Sequence, residues 1–503
     1  MNFYSSTTPI RWPDRFFING EWVEPSSAAR IRVVNSGTEE LFVSVAEAQA
    51  ADVEKAVAAA RTAFDDGSWP RLSHAERAEY LRAIGGEVRA RAEDIARVWT
   101  IESGITYAAA LSIASYTSQT WDSVAGLAEN FAFIERQTPL SVPQAGLLIR
   151  EPVGVVAAIV PWNGTPSIIS IKTAPALLAG CTVVVKASPE APGTAYIFAE
   201  ICEKVGLPAG VFNILTADRE VSELLVRHRD VDKVTFTGST AAGRRIASAC
   251  GERIARCTLE LGGKSAAVIL EDYDVEQAAN TIANSAVFLT GQVCSSLTRI
   301  IVPRRRHDKM VEALSARFTA VAVGDPFEKA TQMGPLAMSR QRERVETYIA
   351  KGKAEGATLA VGGGRPAFLE RGFFIEPTVF GNVDNSWSIA QEEIFGPVLS
   401  VISADSEAEA LAIANDTIYG LNNSVFTNDV ERAYAAARRL RSGTVGQNGT
   451  PGYAGMAMGG FKQSGLGREG GIEGLHPFLE LKSVALDGMP ISLKANGGNT
   501  YLP

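Results

Sequence analysis

Val153-Gly154-Val155-Val156-Ala157-Ala158-Ile159-Val160 is an apolar run without polar alternation, and it opens a stretch reaching Leu261 in which such runs take turns with alanine-rich segments at helical spacing. After this first run, helical patterns fall at 167–178, 194–205, 221–227 and 241–250, and short β-branched runs at 182–185, 211–215, 233–236 and 256–261. A strand that is apolar on both faces must be covered on both faces, and the intervening helices supply the cover. The stretch therefore predicts a doubly wound parallel sheet in an α/β domain.

Working outward, a second α/β series starts near Ser265, with strands expected at 266–270, 299–302, 374–379, 398–402 and 424–426 and helices at 308–321, 340–355 and 408–414. Before the first series, amphipathic helices are expected at 46–63, 75–99 and 107–128, followed by a polar, proline-bearing segment at 136–144 that suits a protruding hairpin. The tail at 478–485 is strand-like, and nothing in its own neighbourhood offers a pairing partner. A chain of 503 residues suggests roughly three domains at about 150 residues each.

With 48 basic against 56 acidic residues the net charge is −8, and the longest basic block is Arg304-Arg305-Arg306, so nucleic acid and anionic membrane are poor partners. Five scattered cysteines without a C-x-x-C pair fit neither a disulfide framework nor a zinc site, which points to a reducing compartment. The first residues, Met-Asn-Phe-Tyr-Ser-Ser-Thr-Thr-Pro, lack the basic start and apolar run of a secretory leader, and no apolar run is long enough to span a membrane. A cytoplasmic protein is expected.

Four places carry residue types suited to chemistry. Gly291-Gln292-Val293-Cys294-Ser295-Ser296 sets a cysteine in a loop between a helix and a strand, where a thiolate finds exposure and backbone donors; the alternative is a small buried hydrophobe. Leu259-Glu260-Leu261-Gly262-Gly263-Lys264 places a carboxylate at an apolar strand end, suited to a general base with a raised pKa or, alternatively, to an ion pair with Lys264. Phe236-Thr237-Gly238-Ser239-Thr240-Ala241-Ala242-Gly243 leads from a strand into a helix, so its amides are placed for a pyrophosphate or simply make a turn. Pro161-Trp162-Asn163 ends a strand at the edge where such sheets bind ligands, and the asparagine amide is a candidate oxyanion donor.

Taken in order, these motifs resemble the aldehyde dehydrogenase superfamily. The resemblance extends to Glu151-Pro152-Val153-Gly154-Val155, Lys172-Thr173-Ala174-Pro175, Lys186, Glu392-Glu393-Ile394-Phe395-Gly396-Pro397, Gly460-Phe461-Lys462-Gln463-Ser464-Gly465 and Gly467-Arg468-Glu469, and covers roughly residues 15 to 485. It implies a cofactor-binding domain from 1–127 and 151–262, a catalytic domain at 263–462, and a small β oligomerisation element from 128–150 and 478–503.

The resemblance implies hydrolytic oxidation of an aldehyde to its carboxylic acid. Cys294 attacks the carbonyl carbon, the Asn163 amide and the Cys294 backbone N–H hold the oxyanion, and hydride leaves the thiohemiacetal for NAD. Glu260 then activates water to hydrolyse the thioester, with Lys172 and Glu469 passing the proton onward. For the cofactor it implies Lys186 on the adenosine ribose, Gly238, Ser239, Thr240 and Gly243 around the pyrophosphate, and Glu393 on the nicotinamide ribose, with Trp162, Leu261 and Phe395 alongside. Many NAD-preferring relatives carry a glutamate three residues after the lysine; here that place is Pro189 and the acid follows at Glu190. NAD is the expected cofactor and NADP stays open.

Relatives form dimers or tetramers through the C-terminal strand, which would explain the tail at 478–485. A coenzyme A acylating dehydrogenase is the alternative within the superfamily, and Glu260 argues against it. A catalytically silent binding protein of the same fold is the alternative from another class. The segments matching the substrate tunnel offer Leu111, Ile113, Tyr116, Trp121, Val293, Tyr453, Met456 and Met458, so an apolar or aromatic aldehyde is expected.

Overall fold

A computed structural model describes residues 8–137, 145–452 and 455–490. The stretch from Val155 forms five parallel strands, Val155–Ile159, Thr182–Ala187, Phe212–Thr216, Lys233–Thr237 and Arg256–Glu260. They alternate with the helices Thr165–Ala179, Gly193–Lys204, Arg219–Arg227 and Thr240–Glu252. Period-two geometry splits the opening run between two cores. Val156, Ala158 and Val160 pack with Trp69, Trp121 and Phe198 on one face. Val155, Ala157 and Ile159 pack with Val53, Val57 and Ile246 on the other.

From Val155–Ile159 the chain adds strands on one side through Phe212–Thr216, then crosses back to place Lys233–Thr237 and Arg256–Glu260 on the other. The strand order reverses beside Val155–Ile159, and a crevice opens at the carboxyl ends of the strands there. Antiparallel strands close both edges: Gly465–Leu466 beside Arg256–Glu260, and Phe16–Ile18 with Glu21–Val23 beyond Phe212–Thr216.

A second sheet of seven strands runs Thr358–Val361, Thr378–Gly381, Val398–Ala404, Leu297–Pro303, Ser265–Ile269, Asn422–Phe426, Thr444–Gln447. All neighbours are parallel except the first pair. Its strands are likewise buried on both faces, Ala266 and Val268 on one side and Ala267 and Ile269 on the other.

Several expectations are corrected. The helix read at 75–99 is two, His74–Ala90 and Ala92–Ser103, broken at Arg91 (φ −100°, ψ 14°), whose guanidinium reaches Asp94 and Glu200. The helix read at 46–63 starts at Ala50, because Ala46 ends the strand Leu41–Ala46. The strand read at 374–379 begins only at Thr378, just after Pro377.

The tail does have a partner in its own chain. Leu479–Leu486 pairs antiparallel with Ala145–Pro152 over all eight residues, and Ile134–Gln137 completes a three-stranded sheet. The partner lies more than 300 residues upstream, out of reach of a local reading. Of the segment 136–144, where the hairpin is expected, residues 136 and 137 end the strand Ile134–Gln137 and 138–144 lie outside the described residues. Among the described residues no helix is long and apolar enough to cross a membrane.

Candidate active site

The crevice is a cleft of about 480 Å3 whose lining includes Trp162, Lys186, Gly238 and Ser239. Lys186 is the next-to-last residue of strand Thr182–Ala187, and burial lowers its ammonium to about 8, with Glu190 and Asp218 opposing. Ser239 caps the helix Thr240–Glu252 by accepting from the Ala242 N–H at 3.3 Å, so the first free amides of that helix open beside the cleft. Thr240, Gly243 and Leu261 stand on the other side of the same helix, around a smaller cleft with Gln463 and Leu466. Gly243 is needed there for packing, since a Cβ would come within 2.5 Å of the Leu261 side chain. At the mouth of the main cleft, Glu190 is tied to the Arg340 guanidinium and accepts from the Ser188 hydroxyl.

Cys294 follows the turn Phe288–Gly291, where Leu289, Thr290 and Gly291 stand at φ of 47°, 54° and 70°. Left-handed backbone at non-glycine residues is held only by contacts, at about 1 to 3 kcal/mol for each residue. The Thr290 hydroxyl donates to the carbonyls of Gly334 and Pro335 at 2.9 and 3.1 Å. The Asn163 side-chain amide reaches this loop, donating from Nδ2 to the Gln292 carbonyl at 2.9 Å. Burial, with Glu393 and Glu260 adding negative charge nearby, pushes the Cys294 thiol up to about 12, while the backbone N–H groups of Cys294 and Ser295 pull the other way. Burial and the two carboxylates thus favour the thiol over the thiolate in the resting protein.

Glu260 ends strand Arg256–Glu260, and its two carboxyl oxygens are buried without a hydrogen-bond partner. Burial, then Glu469, raises its pKa well above the ordinary carboxyl value, against the opposing pull of Lys172 and Arg468. The alternative of an ion pair with Lys264 is not found; the buried Lys264 Nζ has no hydrogen-bond partner either. Glu469 is paired instead: its Oε1 accepts from Lys172 Nζ at 2.6 Å and from the Thr235 hydroxyl at 3.2 Å.

The two sheets meet at Gly262-Gly263. A Cβ on Gly263 would stand 2.4 Å from the Cys294 backbone carbonyl oxygen, so that position demands glycine, and one on Gly262 would stand 2.4 Å from Glu393 Oε2 and displace that carboxylate. The Gly263 N–H donates to Glu393 Oε1 at 3.1 Å, and burial pushes that carboxyl up to about 7. Phe395, held at φ 63°, meets the Trp162 ring edge-on at 5.5 Å between centroids.

Of the residues read as tunnel lining, Leu111, Ile113 and Val293 pack around a small cluster that includes Trp99 and Leu289, next to the Cys294 loop. Met456 and Tyr116 are exposed. Trp121 is a core residue, fully buried, donating to the Ser170 hydroxyl at 2.9 Å and stacked on Phe198. Tyr453 lies outside the described residues. Trp99, Thr235 and Arg340 reach the site without having been singled out in the sequence: each lies on a regular helix or strand, where no glycine or local motif marks it.

The family model for the aldehyde dehydrogenase family matches residues 22–484. A geranial dehydrogenase of Castellaniella defragrans is 43% identical over 94% of this chain and 98% of its own length. An aldehyde dehydrogenase of Mycobacterium tuberculosis complexed with NAD+ superposes with a TM-score of 0.92 at 45% identity, over 94% of this chain and 98% of that one. An aldehyde dehydrogenase C mutant of Pseudomonas syringae, complexed with NAD+ and octanal, gives 0.91 at 38% identity over 95% and 98%. The chain belongs to the aldehyde dehydrogenase family and is an enzyme that oxidises an aldehyde with NAD.

Proposed function

We propose that this oxidation runs through a covalent adduct on Cys294, followed by hydrolysis with Glu260 as the general base. The observation that carries the reading is the meeting of three separate motifs: the Cys294 carbonyl lies against Gly263, and the Asn163 amide bonds the loop two residues before the cysteine. The Cys294 thiol gives up its proton to solvent as sulfur adds to the aldehyde carbon, and the former carbonyl oxygen takes up negative charge within reach of Asn163 Nδ2 and the Cys294 N–H. Donors placed in advance are effective here because little water competes.

The cleft fits a dinucleotide: a helix N-terminus and a buried cation, Lys186, serve its phosphates and ribose, and Glu393 stands beyond Gly262 on the side toward Cys294. NAD, when bound, accepts the hydride that leaves the tetrahedral carbon. Glu260 then takes a proton from water as the water oxygen bonds the acyl carbon and the C–S bond breaks, releasing the acid and the Cys294 thiolate. A buried carboxylate with no partner is a strong base waiting for a proton. Glu469, with Lys172 and Thr235, offers the next stations for that proton.

Cys294→Ala should lower NADH formation by at least about 10⁴-fold while cofactor binding persists. Substantial turnover by that variant would end the assignment. NADH production that does not require added coenzyme A separates hydrolysis from the acylating alternative.

For substrate, we propose an apolar aldehyde. The apolar flank of Leu111, Ile113, Val293 and Leu289 supports it, as do the geranial dehydrogenase relative and the octanal complex. A kcat/KM panel that favours a short charged aldehyde over octanal would reject it. We further propose a homodimer or homotetramer that uses the outer edge of Leu479–Leu486, which carries no other strand of this chain among the described residues. Analytical ultracentrifugation tests this, with a monomer as the contrary result. Five free cysteines support a cytoplasmic setting.

A further inference from the structure

Gln292 is fully buried, and every polar group of its side chain is used. Nε2 donates to the Leu289 carbonyl at 3.0 Å and the Ser103 carbonyl at 3.3 Å, while Oε1 accepts from the Ala337 N–H at 2.9 Å. Two carbonyls on one end and an amide N–H on the other leave a single orientation for the side-chain amide. That orientation fixes the peptide of Gln292, whose carbonyl is the acceptor for Asn163 Nδ2.

A second bond works from the opposite direction. Trp99 Nε1 donates to the backbone carbonyl of Asn163 at 2.8 Å. Trp99 and Ser103 lie one turn apart on the helix Ala92–Ser103, and the Ser103 hydroxyl donates back to the Trp99 carbonyl at 2.7 Å. The last turn of one helix thus holds the Asn163 backbone with one residue and the cysteine loop with the other. An asparagine amide carries two hydrogens in one plane; giving one to the Gln292 carbonyl fixes the plane and aims the other.

We infer that Gln292, with Trp99, is a positioning residue that aims the second Asn163 N–H at the developing oxyanion. The inference rests on the proposed role of Asn163. It predicts that the effect of Gln292 on hydride transfer passes through Asn163 and not through the general shape of the loop.

The test is a double-mutant cycle read by the rate of the NADH burst in rapid mixing at saturating NAD and octanal, with NAD affinity measured separately by fluorescence. Gln292→Met keeps the volume and removes the hydrogen bonds. It should slow the burst by about 10- to 100-fold, below the roughly 10²- to 10³-fold ceiling for losing an oxyanion donor outright. NAD affinity should hold within about 2-fold, and in an Asn163→Ala background the same change should add less than about 3-fold.

Multiplicative losses in the two backgrounds, or an unchanged burst in Gln292→Met, would overturn the inference. Should Gln292→Met not fold, Trp99→Phe carries the same prediction: a slower burst, by about 3- to 10-fold, that disappears in Asn163→Ala. A full-speed Asn163→Ala enzyme is a different outcome, removing the oxyanion role of Asn163 and the inference with it. A slow Asn163→Ala enzyme with multiplicative Gln292→Met losses removes the inference alone.

Discussion

Along the wall of the main cleft, Gly238 and Ser239 pass from strand Lys233–Thr237 into helix Thr240–Glu252 through ordinary backbone, Ser239 at φ −70° and ψ 148°. In the turn before Cys294, Leu289, Thr290 and Gly291 are all left-handed, and two of them carry side chains. The first region, as proposed, binds with groups that any strand-to-helix turn supplies, and it needs no strain. In the proposed mechanism the second presents a thiol to the aldehyde carbon and two N–H donors to its oxygen, which no regular element does, and it is held in place by buried side-chain bonds. Substitutions on the two sides should therefore differ in kind.

The sharpest break comes on the chemical side. Glu260→Gln keeps the size and removes the base, so NADH should appear as a burst of about one equivalent per active site, followed by steady turnover slowed by about 10²- to 10⁴-fold. Mass spectrometry should find the acyl group on Cys294. In the proposed mechanism the base acts deprotonated, so in the parent enzyme thioester hydrolysis should rise with pH through an inflection well above the ordinary carboxyl range, set by burial and by Glu469. That inflection should vanish in the variant. An unaltered steady-state rate, or an unaltered inflection, assigns the base to another group.

Next comes Gly291→Ala. The residue sits at φ +70°, and a Cβ would lie 2.4 Å from the backbone carbon of Gly396, so a loss of about 2 to 4 kcal/mol is expected, measured by denaturant unfolding. A neutral result would mean that the loop relaxes freely, against the contrast drawn here.

On the binding side the effects shrink. Pro189 lines the cleft, and Glu190 beside it is already engaged by Arg340 and Ser188. Pro189→Glu adds a carboxylate that accepts from a ribose hydroxyl and repels a 2′-phosphate, so the ratio of kcat/KM for NAD over NADP should rise by about 1 to 2 kcal/mol after screening. A ratio that stays fixed would show that Glu190 performs this selection despite its ion pair.

The smallest change should be a gain. Gly251, in helix Thr240–Glu252, has nothing within 4 Å of an added Cβ, and Gly251→Ala should stabilise by about 0.5 to 1 kcal/mol. A lower melting temperature would show hidden strain on the side that looks regular.

The same contrast explains what the sequence made legible. The parallel strands stood out because β-branched runs buried on both faces have no other home, and the motifs at Asn163, Gly238, Glu260 and Cys294 stood out because glycines and short polar residues interrupt regular patterns there. The break at Arg91 was hidden: no glycine or proline marks it, and the acids it reaches include Glu200, more than a hundred positions away. Glu190 gave no hint of Arg340, Lys264 suggested an ion pair with Glu260 that is not formed, and the tail looked partnerless because its partner is at 145–152. Local periodicity reports which face is buried, and it says little about which distant group does the burying.

That last pairing bears on how the chain is made. The edge offered by Ala145–Pro152 must wait about 330 residues for Leu479–Leu486, which at 5 to 20 residues per second is roughly 16 to 65 s of synthesis on a ribosome. Gly465–Leu466, which closes the sheet beside Glu260, and Glu469, which takes the Lys172 ammonium, arrive almost as late. During that interval the nascent first sheet carries an open strand edge, an unaccompanied buried lysine and a missing border. Protection by a chaperone, or slow early folding, matters most in that window, and a chain truncated before residue 465 should be aggregation-prone and unable to assemble its carboxylate cluster.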